Sequence, residues 1–184
     1  ARLDAGRELR REEVDLVGLL VDTVADARAA GPDHDWRLDL AVLEPPADAT
    51  ADEAEDFLPE PPLVIGDEAR LRQVIVNLLA NARVHTPAGS HVTTTLARER
   101  DTLIVRIHDD GPGIAPDMRD RLFERFARGD SSRERRTGST GLGMSIALAI
   151  VQSHGGSIDV DSSTAPEDHG TTFTVRLPAA AVEE

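Results

Sequence analysis

DEARLRQVIVNLLANARVHTP, running from Asp67 to Pro87, decides how the rest of the chain is read. Leu71, Val74, Ile75, Leu78, Leu79 and Ala82 recur at steps of three and four, so they share one face of a helix. Asp67 stands where a side-chain oxygen caps the free amides of the first turn. Pro87, which lacks an amide proton, ends the run. Asn77 and Asn81 lie one turn apart and flank the apolar face instead of opposing it. The spacing predicts a buried-face helix over residues 67–85 with two amides at its rim.

Outward from this helix the chain alternates strand and helix signals. Val14 to Ala30 keeps helical spacing at Val17, Leu20, Val21 and Val24, and Gly31-Pro32 stops it. Trp36 to Leu43 alternates as a strand, and Leu63-Val64-Ile65 is a short one. Val92–Glu99 and Leu103–His108 flank Arg100-Asp101 as a hairpin. Gly141 to Ser153 reads as a buried helix ended by Gly155-Gly156, and strands at Ser157–Asp161 and Thr171–Leu177 follow. Residues 44–62, with five prolines, seven acids and no arginine, form a loop insertion. Hairpin neighbours dominate, so the expected fold is an α/β two-layer sandwich, a mixed sheet covered on one face by about three helices.

Composition narrows the function classes. The chain has no cysteine, which excludes disulfides and thiolate metal sites, and no apolar run of the ~18 residues a membrane span needs. A formal charge of -14 argues against nucleic acid as a partner. Between Arg119 and Arg136, however, seven arginines stand against four acids, a local positive excess suited to an anion.

Three short segments carry the chemistry. The carbonyl oxygens of Asn77 and Asn81 suit a hard cation such as Mg²⁺, which takes its other ligands from waters and substrate phosphates; two ordinary surface asparagines read the same way. Asp109-Asp110-Gly111-Pro112-Gly113 puts a carboxylate at a strand end, able to accept from an exocyclic amine, before glycines that permit close backbone approach; it is also good turn chemistry. Gly138-Ser139-Thr140-Gly141-Leu142-Gly143 runs into an apolar helix whose first amides form an anion site, though it lacks the Gly-Lys-Ser/Thr ending of a P-loop.

Taken in order, Asn77–Pro87, Asp109–Gly113, Phe123–Phe126, Thr140–Met144 and Gly170-Thr171-Thr172-Phe173 resemble the N, G1, F and G2 boxes and the last strand motif of the GHKL ATPase superfamily. In detail they resemble its sensor histidine kinase branch, over roughly residues 14–178. The resemblance implies an ATP-binding catalytic domain that uses ATP and Mg²⁺. Residues 1–13 would be the tail of a preceding dimerisation helix, residues 14–184 the domain, and residues 114–140 a flexible ATP lid.

By the same resemblance, Asp109 would bond the adenine amino group, with Thr171 beside it and Gly111, Gly113 and Ile114 along the base. Asn81 would ligate the metal ion and Asn77 support the polyphosphate. His85 would line the pocket, and Thr140, Gly141, Leu142 and Gly143 would present amides to the phosphates. Arg83, where the family usually has Lys, and Arg128 and Arg125 would meet phosphate charge. Hydrolytic relatives place a Glu where Asn77 stands. An amide cannot activate water, so phosphate transfer is favoured.

None of the six histidines carries the family's full acceptor pattern; His34 is followed by Asp35, but Trp36-Arg37-Leu38 breaks it. The acceptor is therefore expected on a separate phosphoacceptor and dimerisation domain of the same kinase, with a response regulator served indirectly. The parent is expected to be a membrane-anchored homodimer and this cytoplasmic piece a monomer. The competing readings are a serine kinase acting on a sigma-factor regulator and a non-catalytic nucleotide-binding scaffold.

Overall fold

The structure, a computed structural model, describes residues 10–43, 50, 59–124 and 142–181. Strand β1 (Glu12–Asp15) leads into helix α1 (Leu16–Ala30), then strand β2 (Asp35–Asp39) and a 3-10 turn at Ala41–Leu43. Strand β3 (Leu63–Gly66), helix α2 (Glu68–His85) and strands β4 (His91–Glu99) and β5 (Thr102–Asp109) follow. A one-turn helix α3 (Pro116–Arg119), helix α4 (Gly143–Ser153) and strands β6 (Ser157–Ala165) and β7 (Asp168–Pro178) complete the order.

The main sheet has the order β2-β4-β5-β7-β6; β2 runs parallel to β4 and every other neighbour pair is antiparallel. Alternation decides its faces. Val92 and Leu96, Leu103, Val105 and Ile107, and Phe173, Val175 and Leu177 point into one buried core with α1, α2 and α4. Thr93, Thr95, Arg106, Thr174 and Arg176 lie on the other, partly exposed face. The mixed sheet under three longer helices is the expected two-layer sandwich.

Helix α2 is the central element, packing against both α1 and α4. All six apolar residues expected on its face are buried. Asp67 accepts from the Arg70 amide at 3.2 Å as expected of a cap, and the Thr86 amide and hydroxyl both close on the Ala82 carbonyl before Pro87. Leu78 is 0% exposed, so truncating it to Ala removes about 3 kcal/mol of packing.

Three local expectations are corrected. Val14 does not begin a helix: Glu12–Asp15 pairs antiparallel with Leu63–Gly66, and Asp15 then caps α1 through the Val17 amide at 2.9 Å. With the start at Leu16, the buried face of α1 is Leu16, Leu19, Leu20, Thr23 and Val24, while Val21 is 46% exposed. The expected strand from Trp36 to Leu43 stops at Asp39, and the last hairpin is longer than its apolar alternation, extending to Ala165 and resuming at Asp168.

Candidate nucleotide-binding site

Alternation that buries Val105 and Ile107 also carries Asp109, at the end of β5, to the helix-covered side of the sheet. The register sets it directly opposite Thr171 of β7. Both are polar and almost fully buried, at 5% and 4% exposure. Asp109 Oδ1 accepts from the Gly111 amide at 3.0 Å, and Oδ2 has no partner among the described residues. The residue is almost wholly buried while this one oxygen stays open to an incoming donor. Burial pushes the Asp109 carboxyl above the ordinary carboxylate range, against the Gly111 hydrogen bond and the nearby His108 ring.

The loop after Asp109 is shaped by close backbone approach. A Cβ on Gly111 would collide with the Thr86 methyl and lie 2.8 Å from Asp109 Oδ1. Gly113 has φ +76, and a Cβ there would strike the Ser163 carbonyl. This loop is tied to the β6–β7 hairpin: His169 Nδ1 donates to Gly111 O at 2.7 Å, and the Ile114 amide donates to Ser162 Oγ at 2.8 Å. The Thr86 hydroxyl gives its proton to Ala82 O, so the 2.8 Å contact from His34 Nε2 is a donation by the histidine. Thr86 is thereby fixed against Gly111 from behind.

On α2, Asn77 and Asn81 are both half-buried. Asn77 Nδ2 donates to Gly143 O at 3.1 Å, at the first turn of α4, and the Asn81 side chain bonds to none of the described residues. Helix α4 starts after Leu142 with no side-chain cap, so its leading amides, beside Asn77, have no intrahelical partner. Amide carbonyls, free helix amides and a buried open carboxylate form a donor set that fits Mg²⁺, phosphate and an amine-bearing base respectively.

Asp109, Thr171, Gly111, Gly113 and Ile114 thus gather at the ends of β5 and β7, and Asn77, Leu142 and Gly143 at the α2–α4 contact. His85 is exposed at the end of α2, near enough to Asp109 to favour its charge. Arg83 is exposed, its stem lying against Gly31 between α1 and β2, with no hydrogen bond or ion pair among the described residues. Arg125, Arg128, Thr140 and Gly141 lie outside the described residues, as does most of the segment expected to form the lid. Sequence reasoning missed Ser162, His169, Thr86 and His34 as supports of the site. Thr86 sits inside the Asn77–Pro87 stretch; the other three carry no local signal.

Sheet order, helix layer and this pocket define an ATP-binding catalytic domain of the sensor histidine kinase kind. The family model for "Histidine kinase-, DNA gyrase B-, and HSP90-like ATPase" matches residues 66–181, more than half of the chain, and the chain belongs to that family. It is similar to the "Probable sensor histidine kinase TcrY" of Mycobacterium tuberculosis, 49% identical over 178 residues, which cover 97% of this chain and 33% of that protein. The sensor histidine kinase TrcS of the same organism is 37% identical over 183 residues, 97% of this chain and 32% of TrcS. Among solved structures, the mycobacterial sensor histidine kinase MprB superposes with a TM-score of 0.72 at 27% identity, covering 94% of this chain and 99% of that one. The chain spans about a third of the length of the curated relatives it matches. No helix among the described residues is long and apolar enough to cross a membrane.

Proposed function

We propose that this domain transfers the γ-phosphate of Mg·ATP to a histidine on a separate phosphoacceptor and dimerisation domain of the same kinase. Asn77 carries the reading. It stands midway along α2, its amide engaged with Gly143 O, where a water-activating carboxylate would be needed for hydrolysis. An amide takes no proton from water, so an imidazole nitrogen of the partner is the better nucleophile. The N–P bond forms as the bond from the γ-phosphorus to the bridging oxygen breaks, and ADP leaves.

Asp109 accepts from the adenine amine, Thr171 and Ile114 hold the base edge, and Gly111 and Gly113 let it approach. The α4 amides at Leu142 and Gly143, with Thr140 and Gly141 before them, receive phosphate oxygens. Asn81, supported by Asn77, would hold Mg²⁺, which neutralises polyphosphate charge. Arg128 and Arg125 meet the γ-phosphate and His85 flanks the mouth, while the Arg83 stem lies on the α1 side of α2, against Gly31. The parent is a membrane-anchored homodimer with this domain in the cytoplasm, and a response regulator takes the phosphate onward.

Incubating the chain with radiolabelled Mg·ATP and the purified acceptor domain is expected to give acid-labile label on the acceptor and none on this chain alone. Label on the isolated chain sinks the division of labour. Acid-stable label moves the assignment to a serine kinase.

A further inference from the structure

Ser162 lies in β6 opposite Thr171 of β7, on the same face as Ile158 and Val160, and nothing in the sequence singles it out. Its hydroxyl has one proton and two lone pairs to place. Gly170 O, at 2.9 Å, can only accept, so it takes the proton. The Ile114 amide, at 2.8 Å, can only donate, so it fills one lone pair. Thr171 Oγ1 sits 2.9 Å from what remains, so that bond runs from Thr171 to Ser162. Thr171 has then spent its only proton within the protein and keeps lone pairs alone for a ligand.

Beside Thr171 stands Asp109, whose Oδ2 is likewise an acceptor without a partner among the described residues. With Asp109 ionised, the buried wall offers oxygens and no hydrogen. We infer that Ser162 is a specificity-positioning residue: by consuming the Thr171 proton it makes the Asp109–Thr171 wall acceptor-only, matched to a 6-amino purine and mismatched to a 6-oxo purine. The 6-amino group brings two N–H donors to this wall. A 6-oxo group sets lone pairs against lone pairs and leaves N1–H as the single donor of that edge, one fewer than the 6-amino purine brings, so one acceptor of the wall goes unmet. Without Ser162 the Thr171 hydroxyl loses its acceptor, turns, and offers its proton to a 6-oxo oxygen. The inference rests on the reading that Asp109 and Thr171 hold the base of ATP.

Titrating the full chain calorimetrically with ADP and with IDP isolates this contribution. Wild type is expected to prefer ADP. Ser162→Ala narrows the ADP-to-IDP affinity ratio by about fivefold, one neutral hydrogen bond's worth, and Ser162→Thr, which keeps the hydroxyl, restores it. Thr171→Val removes the acceptor itself and narrows the ratio as well, which covers the case of a Ser162→Ala protein that fails to fold. A folded Ser162→Ala protein that loses both affinities by the same factor overturns the inference, because a merely structural role would do that. An unchanged ratio in Thr171→Val overturns it too. Wild type that binds neither nucleotide fails at the earlier step and removes the base-binding reading along with this one.

Discussion

Asp109 illustrates a residue whose placement is unfavourable until a ligand arrives. Burial raises its folded-state pKa above that of the unfolded chain, so the folded protein holds the proton more tightly. Between the two values stability falls as pH rises, and above the folded value the whole penalty is present. Asp109→Asn removes the charge, so its melting midpoint at pH 7 should equal or exceed that of wild type. Its ADP affinity should fall at least about tenfold, since a hydrogen bond to a charged group is worth roughly 1.5–3 kcal/mol. Melting and titration of the same preparation check both halves, and an Asn variant that binds like wild type ends the assignment. Wild-type ADP affinity should also decline as pH is lowered through the raised pKa, because the protonated carboxyl no longer offers an ionised Oδ2. Asp110, next in the chain, has the opposite sign. Burial pushes it up, but hydrogen bonds from the His91 ring and the His91 amide outweigh that and hold it below the ordinary range. Its contribution is present above the unfolded pKa and is lost as pH falls through the depressed one.

At the scale of elements, His154 joins α4 to the start of α2. Its Nε2 accepts from the Asp67 amide at 3.0 Å and its Nδ1 donates to Ile150 O at 2.8 Å, so one ring bridges the end of α4 and the start of α2. The ring also occupies the space a Cβ on Gly66 would need. His154→Ala leaves the Asp67 amide without its acceptor and should cost about 1–3 kcal/mol in urea denaturation; no change in midpoint would show that water replaces the ring. In β4, Thr94 is 1% exposed and its hydroxyl has no partner among the described residues. Thr94→Val keeps the shape and removes the unmet group, so it should raise stability by about 1 kcal/mol in the same assay.

For the molecule as a whole, a formal charge of -14 makes the folded state repel itself. Raising NaCl from about 10 mM to about 150 mM shortens the screening length severalfold and should lift the melting midpoint. A midpoint that stays flat or falls would mean that local pairs such as Arg72–Asp22 and Arg176–Asp159 matter more than the net charge. Nucleotide should add its own stabilisation by mass action, so the midpoint should climb with ADP concentration in wild type, and Asp109→Asn should need at least about tenfold more ADP for the same rise.

Much of this was legible because it is local. The face of α2, its Asp67 cap and its Pro87 stop follow from spacing that 3.6 residues per turn dictates, and all of them stand in the structure. Asn77, Asp109, Gly111 and Gly113 stood out as candidates only through the order of their motifs along the chain, since an amide pair on a helix rim or a carboxylate before glycines is by itself also ordinary surface and turn chemistry. Strand faces followed from alternation wherever one side is apolar. What failed was non-local. Glu12–Asp15 is a strand because Leu63–Gly66 lies against it, about fifty residues on, and that pairing moves the start of α1 and rotates its buried face away from Val21. Ser162–Asp168 has no apolar alternation, yet ladder bonds to its partner strand extend the hairpin far enough to clamp the Gly111–Ile114 loop. The direction of the Thr171 proton was out of reach of any motif. It is set by Ser162, Gly170 and Ile114 meeting at one oxygen, and hydrogen-bond polarity at such a junction exists only once separate parts of the chain have been brought within 3 Å of one another.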